Sequence, residues 1–157
     1  MPVRFRLRRI VELAKQTLDG VEDVSLTVIE DGHPRSVVFT GPLAIHLDHN
    51  QYEAGFGPCL DAATSGQTII LDSQQDDTPY RDFTQTADHA GVRHIVSVGM
   101  PLAQRTIGSL NIYRNATAPL SSAALQQAQV FAKHAAVTIA QVTSYANATH
   151  PSERMSA

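Results

Sequence analysis

The stretch Gln51 to Gln67, QYEAGFGPCLDAATSGQ, leaves the backbone few choices. Gly55-Phe56-Gly57 reads as a bend, because glycine reaches backbone angles that other residues adopt only at a cost. Pro58 then suits the first turn of a helix, where a missing N–H removes no bond. Cys59-Leu60-Asp61-Ala62-Ala63 continues that helix and Gly66 stops it. The middle of the chain is thus expected to be a tight loop feeding a short helix, with the only cysteine in its first turn.

Hydrophobic periodicity places the other elements around this loop. Val3, Leu7, Ile10, Ala14 and Thr17 share one helical face, which predicts a helix from Arg4 to Leu18. Arg4, Arg6, Arg8 and Arg9 are then read as a solvated helix face. Val24–Glu30 and Arg35–Thr40 are β-rich runs around Asp31-Gly32, a strong hairpin signal. Leu43 and Leu47 give PLAIHLDHNQYE a helical side. Thr68–Leu71 is a brief strand, and Tyr80–Ala90 a helix with Tyr80, Phe83 and Ala87 on one side. His94–Leu102 and Thr106–Arg114 form a second hairpin about Ala103-Gln104-Arg105. A long helix follows Pro119 and is capped by Ser121 or Ser122. Along it Leu125, Ala128, Ala132, Ala135, Ile139 and Val142 repeat at steps of three and four, a seam suited to another helix. This order predicts an α+β fold, a five- or six-stranded antiparallel sheet with helices on both faces.

The 157 residues show no internal repeat and no shift in composition, so residues 1–148 are expected to be one domain and 149–157 a disordered polar tail. With 43% hydrophobic and 17% charged residues the chain is globular. A net charge of −3 gives no reason to expect direct nucleic-acid binding. No apolar run approaches the ~20 residues that span a bilayer. A lone cysteine makes no internal disulfide, so a cytoplasmic location is expected.

A family resemblance rests on Leu47, Asp48, Gln51, Tyr52, Glu53, Gly55, Gly57, Pro58, Cys59, Leu60, Asp61 and Ala62. It continues through GVRHIVSVGMPL and RTIGSLNIYR. Together these segments resemble the sensory GAF domain of actinobacterial GAF–ANTAR regulators, in the right order over most of the chain. The resemblance implies the GAF fold, with terminal helices on one face of the sheet. Shorter helices and loops then cover a small-molecule pocket on the other. It also implies a role in transcriptional or post-transcriptional regulation. Nothing after Tyr145 resembles the RNA-binding ANTAR module.

Cys59 has two readings. The positive end of its helix favours a thiolate, the form that would let the domain sense redox state or hold a ligand, whereas free cysteines are commonly buried and inert. Without a recognisable partner histidine or a second cysteine, no catalytic role is assigned. His46, His49 and Glu53 share a helical face but lack an HExxH pattern, so no metal site is assigned. In the strands, Ser25, Thr27, Ser97, Ser109, Asn111 and Tyr113 alternate with apolar residues, giving each strand one mixed face. Those polar groups need partners. Either a bound small molecule or local packing supplies them. The expected ligand-binding set is Cys59, Tyr80, Phe83, Ser97, Ser109, Asn111 and Tyr113, with ligand and cofactor unknown. The expected assembly is a homodimer through the terminal helices. A thiol enzyme using Cys59 and a ligand-free dimerisation module are the alternatives.

Overall fold

The computed structural model describes residues 2–75, 77–100 and 108–149, with side chains as far as Gln141. The chain runs α1 (Val3–Thr17), β1 (Val21–Glu30), β2 (His33–Phe39), α2 (Pro42–Ala54), α3 (Pro58–Ser65), β3 (Thr68–Asp72), α4 (Arg81–His89), β4 (His94–Gly99), β5 (Gly108–Arg114) and α5 (Ser122–Thr149). Five strands form one antiparallel sheet in the order β2-β1-β5-β4-β3. The α+β architecture expected from the sequence is the one observed. The Ala103-Gln104-Arg105 turn and residues 150–157 of the expected tail lie outside the described residues, while Thr149 still belongs to α5.

Two sheet faces with different chemistry follow from strand alternation. Val24, Leu26, Val28, Val96, Val98, Leu110 and Ile112 point to one side. There they form a single core with Leu7 and Val11 of α1 and Ala128, Ala132 and Ala135 of α5. The small alanine side chains let α5 lie close to the sheet and α1. On the other side α2, α3 and α4 cover a face that is polar beneath α3 and apolar towards α4. Phe83, Ala87, Leu47 and Ile95 make a smaller cluster at the apolar end.

Turn chemistry fixes the first hairpin. Asp31 and Gly32 both adopt positive φ, 52° and 77°, as a two-residue turn with right-handed strand twist requires. Further along, Leu26 pairs with Val38 but Thr27 pairs with Ser36, so Val37 is bulged out. Side chains alternate, so this one-residue slip turns Ser36 to the same face as Thr27.

β1 begins at Val21, three residues before the β-rich run. Acidic Glu22 and Asp23 disguise its start, but tertiary contacts give Asp23 a buried task. Its carboxylate accepts bonds from Thr40 Oγ1 at 2.8 Å and from the N–H of Ala44 at 3.1 Å. α2 has no side-chain cap from its own Gly41, so a strand residue satisfies one of its open N–H groups.

Candidate functional site

The register settles which polar strand residues stand together. Ser25 pairs with Asn111 and Asn111 with Ser97, while Thr27 pairs with Ser109. These residues therefore form two adjacent rows on the face under α2 and α3. Tyr113 extends the same column of β5.

The local sequence of α2 brings a carboxyl onto those rows. Ala44 and Leu47 set its inward stripe, and Asp48 and Gln51 fall on it, so all four are buried. Asp48 is fully enclosed. Its Oδ1 accepts from Tyr113 Oη, and its Oδ2 accepts from Ser36 Oγ at 2.6 Å. Tyr52 Oη lies 2.9 Å from Ser36 Oγ and 2.6 Å from Thr27 Oγ1. Asn111 Nδ2 donates to Thr27 Oγ1 at 2.9 Å and to Ser25 Oγ at 3.1 Å.

When Asp48 is ionised, this network has one consistent direction. Each hydroxyl carries a single proton, so Asn111 donates to Thr27, Thr27 to Tyr52, Tyr52 to Ser36, and Ser36 to Asp48. A second arm runs from Gln51 Nε2 through Tyr113 Oη, 3.3 Å away, to the same carboxylate. Both arms end on Asp48. Burial nevertheless pushes its carboxyl above the usual range, against the bonds from Ser25, Ser36 and Tyr113 that favour the ionised form. Tyr113 is pushed up as well, by burial first and then by the charge of Asp48.

Gln51 joins this network to the cysteine helix. Its Oε1 accepts from the N–H of Cys59 at 2.9 Å, serving α3 as a cap from another helix. The close approach requires a glycine, since a Cβ on Gly57 would lie 2.3 Å from that oxygen. Behind α3, Ser109 Oγ sits 3.0 Å from the Cys59 carbonyl and 2.9 Å from Asn111 Oδ1, and donates to one at a time. Cys59 itself is fully buried. Burial, and then the charge of Asp48, push its thiol well above the ordinary range. The helix N-terminus does not overcome that desolvation, so Cys59 is held as a thiol.

Of the expected ligand set, Cys59, Ser109, Asn111 and Tyr113 meet in this network. Ser97 is on the same face, and its Oγ is buried without a hydrogen-bond partner. Phe83 packs in the apolar cluster that also contains Tyr113. Tyr80, half-buried, packs against the edge of that cluster. Its hydroxyl donates to Asp61 Oδ2 at 2.6 Å, and its ring stacks on Phe56 at 5.2 Å. Burial, and then that bond to Asp61, push its hydroxyl up to about 12. The expected set lacked Asp48, Gln51, Tyr52 and Ser36. The inward stripe of α2 carried the signal for Asp48 and Gln51. Nothing local announced the bulge that turns Ser36 inward.

The seam expected at a dimer interface needs correction. Ala128, Ala132 and Ala135 are fully buried in this chain's own core, and Leu125 and Ile139 pack against it. As folded, the three alanines face this chain's own sheet and not a second copy, because α5 uses its best apolar stripe there, while Leu125 and Ile139 stay partly exposed. The side chain of Val142 lies outside the described residues. The expectation that the α1 arginines are solvated fits the exposure of Arg4, Arg8 and Arg9, with Arg6 half-buried. Among the described residues, no three His, Cys, Asp or Glu side chains are grouped to hold a metal, and no helix is long and apolar enough to cross a membrane.

Solved structures share this architecture at low sequence identity. A free methionine-R-sulfoxide reductase from Thermoplasma acidophilum superposes with a TM-score of 0.71 at 18% identity, covering 88% of this chain and 93% of that one. A domain of a putative two-component sensor histidine kinase from Sinorhizobium meliloti gives 0.72 at 15% identity, covering 90% and 92%. A GAF domain from Synechocystis in its photoproduct state gives 0.71 at 12% identity, covering 93% and 98%. No curated protein matches the chain. The model of the GAF domain family, a family of sensory and signalling modules, matches residues 6–140. With that match over most of its length, the chain belongs to the GAF domain family.

Proposed function

We propose that this GAF domain is a non-enzymatic receiver for a small polar molecule. The ligand exchanges its own hydrogen bonds for those around Asp48, beneath α2 and α3. One observation carries the reading: Asp48 is fully enclosed, and no salt bridge to it exists among the described residues. A solitary buried carboxyl is expensive to keep, and strongly perturbed groups of this kind concentrate at functional sites. The unpartnered Ser97 Oγ on the same face supports it. β1, β4 and β5 carry the site on one face and the α1–α5 core on the other, so a repacked site has a short path to the terminal helices. Signalling further requires that the ligand bind two arrangements of those helices unequally. The resemblance to GAF–ANTAR regulators supports a place in transcriptional or post-transcriptional control.

A second reading, a filled module without a ligand, is favoured by the completeness of the network. Apart from Ser97, the polar side chains on this face satisfy one another. Two depressions of the described surface, about 430 and 360 Å³, both border α1 instead. A thiol enzyme is disfavoured by the enclosed, protonated Cys59.

Thermal melting against a panel of small polar metabolites separates the two readings. A ligand at a hundred times its Kd stabilises by about 2.7 kcal/mol, and Asp48→Asn should weaken that shift. A panel without any shift, together with native mass spectra showing only the bare chain, would sink the receiver.

A further inference from the structure

The two edges of the sheet are finished differently. β2 carries the devices that keep an edge from taking another strand. Pro34 has no N–H to offer, Val37 is bulged out, and Arg35 is exposed beside Glu30. β3 carries none of them. Thr68-Ile69-Ile70-Leu71-Asp72 holds no proline, lysine or arginine, and it pairs with β4 without a register shift. Its one carboxylate is already held by Arg93, at 2.9 and 3.3 Å. Ile70 leaves 52% of its surface open.

The hydrogen-bond ladder shows which backbone groups of β3 are open. Gly99 donates its N–H to Gln67 O and Ser73 donates to Arg93 O, one bond at each end of the pairing. Antiparallel ladders bond alternate residues. Ile69 and Leu71 therefore face β4, while Thr68, Ile70 and Asp72 turn their N–H and C=O groups outward. Among the described residues one bond reaches these outward groups, from the N–H of Gln75 to Asp72 O at 3.0 Å. A carbonyl has a second lone pair to give. Residues 150–157 are too short to close the edge. α5 meets β3 at Gln129, whose Nε2 donates to Thr68 Oγ1 at 3.4 Å. From there the helix runs on for ~30 Å to Thr149, and a segment of that length stretches back at most ~29 Å.

We propose that β3 pairs antiparallel with β3 of a second copy, about a two-fold axis at Ile70, so that the two sheets become one. The strand is its own complement in this register. Thr68 meets Asp72 of the other copy, Ile69 meets Leu71, and Ile70 meets Ile70. Apolar residues oppose apolar ones, no like charges face each other, and the outward N–H groups of each copy find carbonyls of the other. A parallel pairing would set Asp72 beside Asp72. Five residues a side fall short of the ~800 Å² per partner of a stable interface, so the contact is weak and depends on concentration. It is independent of contacts through the terminal helices, and it stands whether or not the Asp48 site takes a ligand.

Cysteine trapping reads the register. Opposed residues that exchange both backbone bonds lie about 5.5 Å apart at Cα, within reach of a short bis-methanethiosulfonate reagent. Thr68 and its copy would stand about 14 Å apart along the strands. Ile70→Cys chains should therefore cross-link at least about tenfold faster than Thr68→Cys chains at equal concentration. The parent, with only the enclosed Cys59, gives the background. Thr68→Pro removes an outward N–H and leaves the β3–β4 bonds in place. Added to Ile70→Cys, it should slow trapping about tenfold, because each copy loses one bond. Circular dichroism reports whether the fold is kept. Equal rates for Ile70→Cys and Thr68→Cys, or no trapping above the parent, overturns the proposal. So does a rate that a folded Thr68→Pro chain leaves unchanged. Preferential trapping of a cysteine-bearing strand peptide of unrelated sequence, in competition with a second copy, overturns it as well.

Discussion

Tyr113 on β5 donates its hydroxyl to Asp48 on α2, so the sheet and the helix above it meet at a carboxyl sealed from water. Burial raises the folded-state pKa of that carboxyl. In the unfolded chain it ionises near ~3.9. The folded state therefore holds the proton more tightly. Its advantage from Asp48 is fully present below the unfolded value and is lost as pH rises through the folded one. Asp48→Asn keeps an acceptor for Tyr113 and removes the titration. The melting-temperature difference between variant and parent should move in the variant's favour from about pH 4 to about pH 8. A difference that stays constant over that range refutes the account.

The same bond makes Tyr113→Phe informative. Losing the hydroxyl leaves Asp48 Oδ1 without its donor and takes from Gln51 Nε2 its contact at 3.3 Å. The ring remains to fill the space. An unsatisfied buried polar group costs about 1–3 kcal/mol, so urea unfolding should show a loss in that range with unchanged m-value. A loss below about 0.5 kcal/mol, the scatter of ordinary surface changes, would mean that the network is not held as described.

Cys59 yields a kinetic prediction. Burial and the nearby Asp48 hold it as a thiol, and the thiolate is the reactive form. Under native conditions a disulfide reagent should label it only as fast as the chain opens. Adding urea below the unfolding midpoint should speed labelling in step with stability. Fast labelling near neutral pH in the native state would restore the thiol-based readings.

The sequence announced periodic features and hid those that depend on tertiary contact. Asp31-Gly32, the α3 loop and the alternation of Ser109, Asn111 and Tyr113 needed only local rules. The register joining Ser25 to Asn111 was invisible, because pairing is a property of two segments. Asp48 was legible as part of a family motif, but its task was not, since a charged residue on a helix is ordinarily solvated. Asp23 fell outside the β-rich run, and its task shows only when the N–H of Ala44 is placed beside it. The α5 seam misled for a related reason. A stripe at steps of three and four says that a helix packs, without saying against what.

Two residues on that helix turn the point into a test. Ala132 is fully buried in the core that α5 shares with the sheet and α1, whereas Val130, two positions earlier, is 54% exposed. Were the inward stripe a dimer seam, Ala132→Glu would loosen association and spare the fold. In this structure the glutamate would have to be accommodated in the closed core between α5 and the sheet. It would be overpacked, with its carboxyl cut off from water. Such changes fall in the tail beyond about 4 kcal/mol, enough to unfold most single domains. Val130→Glu adds a solvated charge and should stay within about 0.5 kcal/mol of the parent. Thermal melts followed by circular dichroism decide between these. A folded Ala132→Glu chain with a parental melting point would show that α5 leaves the sheet in solution and turns its alanine stripe elsewhere.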